Sequence, residues 1–291
     1  MAFDESFLSP RGFLVNNGSR FVCDGPNFSK LQQATQATLN LPYNDGGIRY
    51  RVGFTDRGMQ ELYVDIIIPV MEEFYKITNQ SMALESGYRS VGDVCNVILE
   101  LSATAQIDYD EIFDALKRLY GDESGNDSLR EEVQAKMKER IDKLKSLSNL
   151  ATITTDNLRE AIGNVNEAQI RVKIIDSELG SQSIIQRLRE CHEGERNSDD
   201  FDTDCSAVEI LKGIIAKQNM QDDSGASLAN LQLAVGAAFE IWNDLTALSD
   251  FVAEHTEPGP GPLLNLQKNK LLEMWSNLAT EVHKFKDSYI G

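Results

Sequence analysis

The densest group of side chains that could do chemistry in this 291-residue chain lies in one stretch, Glu190 to Cys205, which reads ECHEGERNSDDFDTDC. Within it, Asp200, Asp202 and Asp204 match positions 1, 3 and 5 of a calcium loop of the EF-hand kind. Cys205 then stands where such a loop needs glycine for its turn, and Leu211 where it needs a bidentate glutamate. A solvated acidic loop without metal is the expectation. Cys191 and Cys205 bracket that loop. Oxidised to each other they would close ~15 residues, worth ~3 kcal/mol on the chain-entropy estimate. That bridge is the exception to a default of four free thiols, and Cys23, Cys95, Cys191 and Cys205 lack the CxxC spacing of zinc or thioredoxin-like chemistry.

Nothing else nominates a reactive group. His192, His255 and His283 have no second histidine or cysteine at ligand spacing on one helix face, and no phosphate-cradling, dinucleotide or nucleophile-elbow pattern occurs. The paired carboxylates in MEEF and REEV fall on adjacent helical positions that normally face water. No catalytic residue, cofactor or metal site is expected, and the chain reads as a non-enzyme. IRYRVGFTDRG sets three arginines among aromatics, but the formal net charge is −18. That surplus argues against nucleic acid as a partner, and a short strand with arginines on its wet face is the reading for IRYRVGF.

The elements that would position these residues are helical. Residues 1–55 form the exception: GFLVNNGSRFV brackets an Asn-Asn-Gly turn with two apolar runs, a short β-hairpin signal. From 56 to 291 the expectation is an elongated antiparallel coiled-coil bundle, all-α in class. Pro69 should bend the first long helix. Ser128 and Glu131 form a capping box, and from there one helix is expected to run to about 193, ~95 Å at 1.5 Å per residue. Its seam is Leu147, Ala151, Thr154, Leu158, Ala161, Val165, Ala168, Val172, Ile175 and Leu179, alternating fours and threes. Its weak points are TITT, Gly163 and Gly180. A tip loop over 190–204 follows, then a hairpin over 226–289 folded at EPGPGP. In that hairpin Trp242 and Trp275 should lie in the core at one level, Trp242 between Ala238 and Leu245 and Trp275 between Leu271 and Leu278.

A kinked helix, a very long helix, a tip and a returning tryptophan-bearing hairpin (AFEIWNDLTALSDFV, then LLEMWSNLATEVHKF) resemble the ClyA-like α-helical pore-forming toxins, with their Hbl/Nhe, Cry6-type and Xax/Yax relatives. The resemblance spans roughly residues 56–290. It implies a pore-forming toxin, or one soluble component of a multi-part cytolysin. Its expected partners are further copies, a second component, and the membrane of a target cell. The alternative from a different class is a non-lytic coiled-coil scaffold with the same fold. The segments the resemblance would bring to the membrane are Ile184, Ile185 and Leu188 with Ile210, Leu211, Ile214 and Ile215, a short amphipathic pair beside the acidic loop. No run reaches the ~18 apolar residues of a spanning helix, and MAFDESFLSP lacks the regions of a signal peptide. A chain made soluble in the cytoplasm, then released to a target membrane, is the expectation.

Overall fold

A computed structural model describes residues 7–15, 20–23, 25–120, 127–193, 199–217, 224–254 and 268–290. Among the described residues the regular elements are helices apart from one two-stranded antiparallel hairpin, β1 (Leu14–Val15) with β2 (Arg20–Phe21). The fold class is thus all-α with a small hairpin where the apolar runs around Asn-Asn-Gly place it.

Three short helices follow: α1 (Gly25–Leu39), α2 (Asp45–Val52) and α3 (Asp56–Leu62). The second of these corrects the reading of IRYRVGF as a strand. Asn44 caps α2 by accepting from the Gly47 amide at 2.8 Å. Asp45 lies in its first turn and Arg49 and Arg51 in its last, each at the end the helix dipole favours. Ile48 and Val52 alternate with polar residues, but they are also i and i+4, and both are buried on one helical face. The arginines are used locally: Arg49 pairs with Asp56, and Arg51 donates to the Asn40 carbonyl.

The bend expected at Pro69 takes a specific form. Residues Tyr63–Ile67 make one turn of π-helix before α4 (Ile68–Tyr120), and the Ile68 amide donates to the Tyr63 carbonyl. Proline has no amide to give and its ring crowds the carbonyl four residues back; the wider turn absorbs both defects. Helices α4 and α5 (Asp127–Leu179) each have 53 residues, about 80 Å of helix apiece.

All ten seam residues from Leu147 to Leu179 are buried. Gly163 and TITT do not interrupt the helix. Gly180 does, so α5 ends well short of 193 and α6 (Gln182–Cys191) begins after Ser181, whose backbone is extended. The tip loop is likewise shorter than 190–204, because α7 (Asp199–Ala216) already starts at Asp199. Asp199, Asp200 and Asp202 occupy its first turn, where carboxylates meet the positive end of the helix dipole. Then come α8 (Ser224–Glu254) and α9 (Lys268–Tyr289). The EPGPGP turn between them lies outside the described residues.

The chain divides into two compact units, and the division does not fall at residue 55. The first comprises 1–28, 88–156 and 225–291, the second 29–87 and 157–224. Both long helices contribute to both units, so no cut at a single chain position separates them. In the first unit α4 and α5 run antiparallel, as Lys136–Glu111 and Arg140–Asp108 show by their opposed numbering. In the second, Arg171 of α5 faces Glu73 of α4.

Candidate functional site

In the first unit a charge is buried on a helix seam. Val133, Met137, Arg140, Leu144 and Leu147 follow seam spacing on α5, and Arg140 is 1% exposed. Its guanidinium carbon lies 4.4 Å from the centre of the Tyr109 ring and 4.7 Å from that of Trp275, a cation against two aromatic faces. Nη1 donates to Asp108 at 2.6 Å and Nη2 to the Leu101 carbonyl at 3.2 Å. Nε, also buried, has no partner. Burial drives the Tyr109 phenol up from its ordinary range, and Arg140 partly offsets this.

The same rings hold the segment that precedes β1. The Leu8 carbonyl accepts from Tyr109 Oη and from Trp275 Nε1, both at 3.2 Å. The Leu8 amide donates to Asp244 Oδ2 at 2.9 Å. Arg11 spans that carboxylate from the other side, Nη2 to Oδ1 at 2.8 Å and Nη1 to Oδ2 at 2.7 Å, with Glu240 at 3.4 Å from Nε. Leu8 is fully buried with φ of 63°, a left-handed conformation that costs a non-glycine residue about 1–2 kcal/mol. Gly12 follows at φ 83°. A Cβ there would stand 2.9 Å from that of Ala237, so glycine meets both constraints.

In the second unit the most deeply buried charge among the described residues is Asp204, 0% exposed. Its Oδ1 accepts from the Thr55 amide at 2.7 Å; its Oδ2 accepts from the Thr55 hydroxyl at 2.8 Å and lies 2.8 Å from His192 Nε2. Thr55 caps α3 by accepting from the Gly58 amide. A Cβ on Gly58 would fall 2.1 Å from Asp204 Oδ2, so the carboxylate occupies the space glycine leaves. Arg187 on α6 reaches Glu61 Oε1 at 2.8 Å, the Glu61 carbonyl at 2.7 Å and Asp65 at 3.2 Å. Asp204 thus ties together α3, the end of α6 and α7.

The residues singled out from sequence fall as follows. Ile184, Leu188, Leu211 and Ile215 are buried, Ile185 and Ile214 are half-buried, and Ile210 is 46% exposed. These apolar groups serve mainly as packing for α6 and α7. Cys191 and Cys205 are not bridged; all four cysteines are free thiols. Their neighbours His192 and Asp204 meet instead, and burial, then Asp202 and Asp204, pushes the Cys205 thiol up, which keeps it protonated. Asp200 and Asp202 are exposed while Asp204 points inward, so the three carboxylates do not converge as a calcium loop requires.

Trp275 is 1% exposed in a seam of Leu271, Leu278, Val282 and Phe285. Trp242 is only half-buried, edge-on to Phe239 at 5.2 Å and 4.9 Å from Lys145 Nζ. The seam of α8 is Ala238, Ile241, Leu245, Leu248 and Val252; it keeps Ala238 and Leu245 and puts Ile241 where Trp242 was expected. Aliphatic Ile241 fills the core, and the indole covers its edge. The two tryptophans are not equivalent core residues.

Sequence reasoning missed Arg140, Asp108, Asp244, Leu8 and Thr55. Arg140 had a readable signal: it is the charged member of an otherwise apolar seam.

In fold the chain is similar to the Bacillus cereus HblL1 toxin component, with a TM-score of 0.44, 9% identity, and 97% of this chain and 95% of that chain covered. It also aligns with a computationally designed three helix bundle at a TM-score of 0.23 and 13% identity, covering 90% and 98% of the two chains. No protein-family model and no curated protein sequence matches the chain. Among the described residues no helix is long and apolar enough to cross a membrane.

Proposed function

We propose that this chain is a component of an α-helical pore-forming cytolysin. It acts without catalysis, by assembling with further copies or with a second component and bringing α6 and α7 to a target membrane. The observation that supports this most is the helix layout: two 53-residue amphipathic helices followed by a short amphipathic pair whose apolar residues are packed inward. The pair is held by aliphatic contacts, by the cluster Thr55–Asp204–His192 and by Arg187 on Glu61 and Asp65, and leaving its bed means giving up these contacts together. Its exposed member, Ile210, offers a first apolar contact. No nucleic-acid partner fits the charge of −18.

The test is dye release from phosphatidylcholine vesicles and lysis of cells by the purified chain, alone and with candidate second components. The account expects release, and a slowing of at least about tenfold by Ile210→Glu, because a carboxylate in the bilayer core costs several kcal/mol. Ile210 is already exposed, so the variant should keep its stability within about 0.5 kcal/mol. Sealed vesicles and intact cells under every condition would reject the reading.

Burial of Ile184, Leu188, Leu211 and Ile215 favours a second reading, a non-lytic coiled-coil scaffold. It expects a stable complex with a helical partner and no leakage.

A further inference from the structure

The stretch Phe7–Arg11 lies outside every helix, yet Phe7, Leu8, Ser9 and Pro10 are buried. Its contacts have the character of a bound ligand's. One carbonyl, that of Leu8, receives two side-chain donors from distant parts of the chain, Tyr109 and Trp275. One carboxylate, Asp244, takes the Leu8 amide and the Arg11 guanidinium together. The receiving groups come from α4, α8 and α9. Arg140 lies over both rings and donates to Asp108, and its Nε is buried without a partner. Gly12 in its left-handed conformation marks where the strap turns away into the hairpin.

The geometry points to a peptide site on the first unit. It recognises a turned segment, left-handed at a large aliphatic residue, with an arginine three positions later. The chain's own Phe7–Arg11 fills it in cis, and the same segment of a second copy is the occupant in trans. Selectivity has two sources: the aliphatic side chain is enclosed, and the arginine meets two acids, Asp244 and Glu240. This inference does not depend on lysis.

The experiment uses the full chain and a fluorescein-labelled peptide of residues 7–12, FLSPRG, followed by anisotropy. Arg11→Glu sets a third carboxylate against Asp244 and Glu240 and should expel the strap. The expected result is saturable binding of the peptide to this variant. Binding to the unaltered chain should be at least about tenfold weaker, because its own strap competes for the same site. A peptide with glutamate in place of its arginine should bind neither. Arg11→Ala, which removes the anchor without adding repulsion, should fall between the two. Absence of saturable binding to an Arg11→Glu chain of unchanged helix content overturns the proposal. So does equal binding to variant and unaltered chain, or loss of helix content in both Arg11 variants, since the strap would then be part of the core.

Discussion

Among the described residues the most deeply buried charge of the first unit is Arg140 and that of the second is Asp204, and the two are neutralised by opposite means. Arg140 in the first unit is held by two aromatic faces, one carboxylate and one carbonyl, and retains a donor without a partner. Asp204 in the second takes an amide, a hydroxyl and an imidazole, all from residues that also close helix ends. The cation is thus built into the middle of a seam, where aliphatic neighbours flank it on both sides. The anion is built into junctions between short helices. A charge in mid-seam can be lost only with the packing around it. A charge at helix junctions can be released by moving one short pair.

The largest expected effect breaks the first half of that comparison. Arg140→Leu leaves Asp108 without its partner and strips both rings of their cation. Arg140 is buried and Asp108 half-buried, so a loss at the low end for a broken buried pair, about 3 kcal/mol, is expected, read as a lowered urea midpoint. An unchanged midpoint would show that the seam treats position 140 as an ordinary aliphatic site.

Gly58→Ala should come next. Its Cβ would stand 2.1 Å from the Asp204 carboxylate, so α7 must shift or Asp204 must abandon Thr55. We expect a loss of about 2 kcal/mol, with cleavage by added protease concentrated in α6 and α7. Cleavage spread evenly over both units would dissolve the distinction between seam and junction.

The smallest effect concerns reactivity. Burial pushes the Cys95 thiol up to about 12 and Cys23 well above its ordinary value, whereas Cys205 is raised less and is half-exposed. A raised thiol pKa means less thiolate at a given pH. Alkylation by iodoacetamide at pH 8, mapped by peptide mass, should therefore reach Cys205 before Cys95. Cys95 should speed up as pH climbs toward 12, so long as the fold survives.

The seams of α5 and α9 were legible because apolar residues recur at threes and fours over many turns, which outweighs neighbours such as Ile174, Leu272 and Met274. In α8 the pattern carried two answers, since Ile241 and Trp242 are both apolar, and size misled: the smaller residue goes inside. IRYRV was ambiguous for a different reason, because alternation by two contains the i, i+4 pair of a helix. What decided it was Asn44 at the cap and the charges at each end. The buried charges depend on partners about 150 residues away for Asp204 and Thr55, or on four separate segments for Leu8, Tyr109, Asp244 and Trp275. No local spacing records those meetings. Arg140 on an apolar seam and Thr55 as a cap before Asp56 were the local signs.

Hydrogen exchange by mass spectrometry, with and without phosphatidylcholine vesicles, tests most directly whether α6 and α7 leave their bed to meet a membrane. Amides of α6 and α7 should change protection when vesicles are added while those around Arg140 stay as they were. If vesicles leak and the protection of both helices is unaltered, membrane contact lies elsewhere in the chain and the account is wrong.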